Sequence, residues 1–171
     1  MPRISAATNA AQRENTKRAI LESFGKLLYS RGLPGLTMTD VAKNAGIGRT
    51  AVYNYFADMG ELLVAYALDE TERFLHELDE GLAGVTNPID QLAVYIRLQI
   101  EDLARRHLPP GPAMRSMLSP ESYARLGKHV SELQMVLANI LSDAITEKYI
   151  PENDIRELAM LVHGSLSSSA G

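Results

Sequence analysis

The chain has 171 residues, 46% of them hydrophobic and 22% charged, a balance that suits one globular domain or two small ones and excludes a fibrous or disordered chain. It contains no cysteine, so disulfides, thiolate metal sites and cysteine nucleophiles are excluded. The net charge of -4 is unevenly placed: residues 1–56 carry eight basic groups against three acidic ones, and the remaining 115 carry nine basic and eighteen acidic. The front therefore suits a polyanionic partner and the rear does not.

Apolar residues recur at spacings of three and four along nearly the whole chain, and no period-two run is bounded by turn residues, so the expected fold is all-α. Residues 1–14, rich in Ala, Asn and Ser, read as an arm. They lack the apolar run of an export leader, and no later stretch reaches eighteen uninterrupted apolar residues. The expected location is the cytoplasm, with no membrane partner.

A first helix is predicted from about Thr16 to Ser30, with Ile20, Phe24, Leu27 and Leu28 on one face and Gly32 as its terminator. Two short helices follow. Thr37 and Asp40 form a capping box for the first, Val41 and Ala42 face inward, Gly46 makes a left-handed turn, and Arg49 to Tyr55 form the second. With Val52 and Phe56 inward, Arg49, Thr50, Ala51 and Asn54 face out.

A long helix is predicted from about Gly60 to Leu82, with Leu63, Ala67, Phe74, Leu78 and Leu82 inside. Asn87 and Pro88 start another, which runs to about His107 with Ile89, Leu92, Ile96, Ile100 and Leu103 inward. "LPPGP" breaks the chain and leaves a short apolar segment, Met114 to Leu118. Ser119 and Pro120 open a run to about Tyr149 carrying Val130, Leu133, Leu137, Ile140, Leu141, Ala144 and Ile145. A last helix holds Ile155, Leu158, Ala159, Val162 and Leu166.

A short helix, a glycine turn and a second short helix inside a basic three-helix unit have the mechanics of a helix-turn-helix, whose second helix fits the DNA major groove. The stretches "TKRAILESFGKLLYSRG", "LTMTDVAKNAGIGRTAVYNYF" and "GELL" resemble the DNA-binding region of the tetracycline-repressor (TetR) family of bacterial regulators. The resemblance covers about residues 16–63 and implies an N-terminal helix-turn-helix domain, residues 1–58, followed by a helical effector-binding and dimerisation domain, residues 59–171.

Carried over by position, the resemblance implies DNA contacts from Thr37, Thr39, Arg49, Thr50, Ala51, Tyr53, Asn54 and Tyr55, with Lys17 and Arg18 on phosphates. Phe56 matches the apolar anchor of the motif. Tyr53 has a hydroxyl that a small core would leave poorly satisfied and that suits a phosphate oxygen. Tyr55 stays open between core and contact. Two positions depart from the family pattern: Gly48 stands where a capping serine is usual, and Met59 where a lysine is usual.

In the rear, Gln99 interrupts an apolar stripe, and the methionines after the proline break are flexible gap fillers. The resemblance implies that Phe74, Tyr95, Gln99, Met114, Met117 and Tyr123 line an effector pocket, with ordinary core packing the alternative for each. The last two helices, with Gly164, Ser165 and Ser168 small enough for close approach, resemble the family's dimer interface. The implied function is a homodimeric repressor that binds palindromic double-stranded DNA and is released by a small-molecule effector.

Neither a cofactor nor a metal is expected. His76, His107, His129 and His163 show no ligand spacing, and no residues carry a local signature of catalysis. Other readings are an effector-independent DNA-binding protein or activator of the same fold, and, from a different class, a helical enzyme or protein-interaction module.

Overall fold

The computed structural model describes residues 6–106, 108–109 and 111–169. Residues 1–5 of the expected arm, His107 and Pro110 lie outside the described residues, as do the side chains of His129 and Ser168. The described residues form α1 (Ala6–Arg31), α2 (Met38–Ala45), α3 (Arg49–Tyr53), α4 (Met59–Leu82), α5 (Pro88–Arg105), α6 (Gly111–Met117), α7 (Pro120–Thr146) and α8 (Ile155–Ser169), with no strand among them. The fold is all-α.

Contacts divide the chain into two compact units, Met1–Ala67 with His107–Tyr123, and Leu68–Arg106 with Ala124–Gly171. In the first, Ile20, Phe24, Leu27 and Leu28 of α1 are buried, as are Val41 and Ala42 of α2 and Val52 and Phe56 at α3. Tyr66 packs edge-on against Phe24, ring centres 5.5 Å apart. The second unit is built on Phe74, Leu78, Tyr95, Leu137, Ile140 and Leu141, with Leu158, Ala159 and Val162 of α8 half-buried against them.

Four expectations fail. α1 starts at Ala6, so residues 6–14 are helix and not arm; the alanines of "AATNAAQ" favour helix. α4 starts one residue earlier than expected because Asp58 Oδ1 accepts from the Glu61 N–H at 2.8 Å and caps it.

The third failure concerns which face of α5 is buried. Ile89 and Ile100 are exposed, and the buried residues of α5 are Pro88, Tyr95, Gln99 and Asp102. Leu92 and Ile96 of the expected stripe are partly buried against the core as expected, but the helix also buries Tyr95, whose Oη lies 3.2 Å from His163 Nε2 of α8, and Asp102, which pairs with Arg106 one turn on. Val130 of α7, expected inward, is exposed.

Candidate nucleic-acid interface

Local chemistry builds the front of the chain in a defined order. Asp40 N–H donates to Thr37 Oγ1 at 3.2 Å, and Thr37 N–H donates to Asp40 Oδ2 at 3.0 Å, so the capping box closes the start of α2. These hydrogen bonds, first the Thr37 hydroxyl and then its N–H, hold the Asp40 carboxyl below the usual carboxylate range.

At the other end of α2, Gly46 has φ of 69°, which only glycine adopts without strain. The Ile47 N–H then donates to Ala42 O and the Gly46 N–H to Lys43 O, the paired bonds of a Schellman turn. Ser23 on α1 ties the unit together, its hydroxyl donating to Asn44 Oδ1 at 2.8 Å.

The turn delivers α3 with Val52 and Phe56 as its buried side. Arg49, Thr50 and Asn54 are exposed, and Ala51 is half-buried. Gly48 precedes α3 without a side-chain cap. Tyr53 is 41% exposed, which takes it out of the core, and the Arg49 guanidinium lies 5.7 Å from its ring centre. Tyr55 is half-buried, with Arg13 of α1 over its ring at 5.3 Å.

On the remaining elements Thr37, Thr39 and Arg18 are exposed and Lys17 is half-buried. The structure thus brings the expected residues of α2 and α3 into one small unit with α1. Arg13 was not among the expected contacts. Its signal was an arginine four residues before Lys17, one helical turn away, hidden while residues 1–14 were read as an arm.

In the second unit Phe74, Tyr95 and Gln99 are all buried; Met114, Met117 and Tyr123 fall in the first unit, where Met114 is buried and Met117 is exposed. Around Gln99 the structure adds residues that the apolar pattern did not suggest. Glu70, Thr71 and Asp102 are buried. Glu70 pairs with Arg73, Arg105 makes two bonds to Glu77 at 2.7 and 3.2 Å, and Arg106 lies over the Phe74 ring at 5.5 Å. Burial, opposed by the neighbouring arginines, pushes the Glu70 and Asp102 carboxyls up.

A separate open groove of about 340 Å³ in this unit has an apolar floor including Leu75, Leu78, Val136 and Ile140, with Asp79 and Asp143 among its polar lining. None of the six expected pocket residues lines it.

A capped short helix, a left-handed glycine turn and an exposed second helix anchored by Val52 and Phe56 define a helix-turn-helix protein. Residues 20–66 match the profile of bacterial regulatory proteins, tetR family. Over that stretch, about a quarter of its length, the chain carries the DNA-binding region of that family.

It is 35% identical over 74 residues to an HTH-type transcriptional regulator of Haemophilus influenzae, covering 43% of this chain and 36% of the relative. To one of Mycobacterium tuberculosis it is 32% identical over 88 residues, covering 52% and 44%. The chain therefore spans about two fifths of the length of the curated relatives it matches.

Among solved structures, FadR of Bacillus subtilis in complex with stearoyl-CoA is similar at a TM-score of 0.75 and 19% identity, covering 90% of this chain and 84% of that one. The TetR family regulator PfmR of Thermus thermophilus is similar at 0.74 and 21%, covering 88% and 84%. The superantigen PfiT is similar at 0.80 and 19%, covering 91% and 84%. These likenesses establish the fold, and their different roles show that the fold alone does not set the function.

Proposed function

We propose that this protein is a DNA-binding transcriptional regulator that acts as a homodimeric repressor on a palindromic operator and is released by a small-molecule effector. The observation that carries the reading is α3 itself: Val52 and Phe56 anchor it, while Arg49, Thr50, Tyr53 and Asn54 stand exposed on the basic end of an otherwise acidic chain. Thr37, Thr39, Lys17, Arg18 and Tyr53 are the positioning contacts to phosphate. Arg49, Thr50, Ala51, Asn54 and Tyr55 face the groove.

Dimerisation follows from reach, because one five-residue helix spans few base pairs and two related by a dyad read a palindrome. On α8, Met160 and Leu161 are 67% and 66% exposed on one face with Gly164 a turn beyond, an apolar strip that suits a second copy. The effector domain is the rear helices, with Phe74, Tyr95 and Gln99 among its lining residues. No helix among the described residues is long and apolar enough to cross a membrane, which fits action in the cytoplasm.

The experiment is a gel shift with the palindrome recovered by binding-site selection, repeated across salt concentrations. An operator binder loses affinity with a log–log slope of about -0.9 per phosphate neutralised. A flat salt response would sink the reading.

A further inference from the structure

Among the described residues, every buried side-chain nitrogen or oxygen without a hydrogen-bond partner belongs to Gln99, Asp102 or Arg106. The atoms are Gln99 Oε1, both carboxylate oxygens of Asp102, and Arg106 Nε and Nη2. Asp102 Oδ2 and Arg106 Nη2 meet each other as an ion pair, which leaves Gln99 Oε1, Asp102 Oδ1 and Arg106 Nε; such atoms are rare in native proteins, and three on neighbouring turns call for an occupant. Positions 99, 102 and 106 fall on one stripe at the C-terminal end of α5. Arg106 Nη2 lies 2.5 Å from Asp102 Oδ2, Arg106 Nη1 donates to Thr71 Oγ1 at 3.5 Å, and Asp102 Oδ1 lies 3.7 Å from Arg105 Nη2.

Two features define what the stripe accepts. The first is charge: the carboxylates of Glu70, Glu77 and Asp102 are matched by the guanidinium groups of Arg73, Arg105 and Arg106. A net ion placed here would lack a counterion, and unpaired charge is the costliest thing to bury. The second is polarity: unmet acceptors on Gln99 and Asp102 stand beside an unmet donor on Arg106, with the Phe74 ring under the guanidinium. The complement is one donor next to one acceptor on an apolar body.

We propose that Gln99, Asp102 and Arg106 are the polar end of the effector site, and that the site takes an uncharged small molecule presenting a hydrogen-bond donor beside an acceptor, a primary carboxamide being the simplest form. The assignment rests on reading the rear helices as an effector domain, and it adds the chemical class of the effector. The carboxamide N–H groups donate to Gln99 Oε1 and an Asp102 carboxylate oxygen, and its carbonyl accepts from Arg106 Nε.

The test is a thermal melt of the full chain with two matched sets: phenylacetamide, phenylacetate and phenethylamine, then hexanamide, hexanoate and hexylamine. An amide should bind on the order of tenfold or more tighter than its carboxylate and ammonium counterparts. At about 100-fold above its Kd it should raise the melting temperature by about 5 °C. Gln99→Met, folded cooperatively, should lose that shift.

A ranking led by either ion, a shift retained in Gln99→Met, or no shift from any probe, meaning that water alone fills the site, would overturn the proposal. If Gln99→Met does not fold, Gln99→Glu keeps the volume and should transfer the preference to the ammonium probes; an unchanged ranking counts against it. Operator binding is a separate readout. Amide selectivity without operator binding sinks the regulator reading and leaves the site, whereas operator binding without amide selectivity does the reverse.

Discussion

The guanidinium of Arg13 lies 5.3 Å from the centre of the Tyr55 ring, so the early turns of α1 are held against the segment that follows the recognition helix. An exposed arginine stacked on such a half-buried ring gains about 0.5 to 1 kcal/mol and keeps its N–H groups free for phosphate. Arg13→Ala should weaken operator binding several-fold and lower the salt slope by about one. Titrations at several salt concentrations measure this, and a slope equal to the parent's would remove Arg13 from the interface.

Arg49 is the side chain best suited to read a base, since a guanidinium matches the O6 and N7 acceptors of guanine. Arg49→Ala should cost about 1 to 3 kcal/mol at one base position and leave preferences elsewhere in the operator unchanged. Binding-site selection on both proteins gives the answer. Identical preferences would mean that Arg49 only stacks on Tyr53.

Gly25 on α1 faces Tyr66, and an added methyl would stand 2.9 Å from its Cε2 and 3.0 Å from its hydroxyl. Tyr66 is buried against Phe24, so the ring has little room to retreat. Overpacking of this kind costs about 1 to 3 kcal/mol, more than the gain in helix propensity. Gly25→Ala should therefore lower the midpoint of chemical denaturation; a higher midpoint would show that Tyr66 can move.

Two carboxyls should give stability opposite pH dependences. Asp40, lowered by the Thr37 hydrogen bonds, contributes stability above the ordinary aspartate pKa, and this is lost as pH falls through its folded value. Glu70, raised by burial, binds its proton more tightly in the folded chain, so its contribution is greatest at low pH and declines as pH rises through the folded value. Asp40→Asn should flatten the first dependence and Glu70→Gln the second, read from denaturation midpoints across the acid range. Parallel changes in the two variants would refute the assignments.

Gly60 sits in the first turn of α4, where a Cβ would lie 3.2 Å from Asp58 Oδ1, the atom that caps the helix. Gly60→Ala gains about 0.5 to 1 kcal/mol of helix preference and gives up part of a cap worth about as much, so stability should change little. The first turn of α4, at the boundary expected between the DNA-binding and effector domains, becomes stiffer, and if it carries the release signal the response to effector should change more than operator affinity without it. Equal effects on both would show that the first turn of α4 does not carry the release signal.

Much of the front unit was legible in sequence because its signals are local. Thr37 and Asp40 lie three residues apart, Gly46 must supply a positive φ, and Val52 and Phe56 are one turn from each other. Each feature is decided by neighbours in the chain, and each stands in the structure as expected. Tyr53 followed for the same reason: a polar ring on the outward side of a five-residue helix has nowhere to be buried.

By itself, then, the sequence determined the order of the helices, the cap and glycine turn of α2 and the face of α3 that meets the outside, since these depend on spacings of three and four and on single backbone angles. Only the tertiary structure decided that α1 reaches back to Arg13 over Tyr55, and that α5 buries Gln99 and Asp102 in preference to Ile89 and Ile100. Asp102 is met by Arg106 and Tyr95 by His163 of α8, and such partners are set by packing. Arg106, one turn beyond Asp102 and lying over Phe74 of α4, is the partner that pattern alone could not supply.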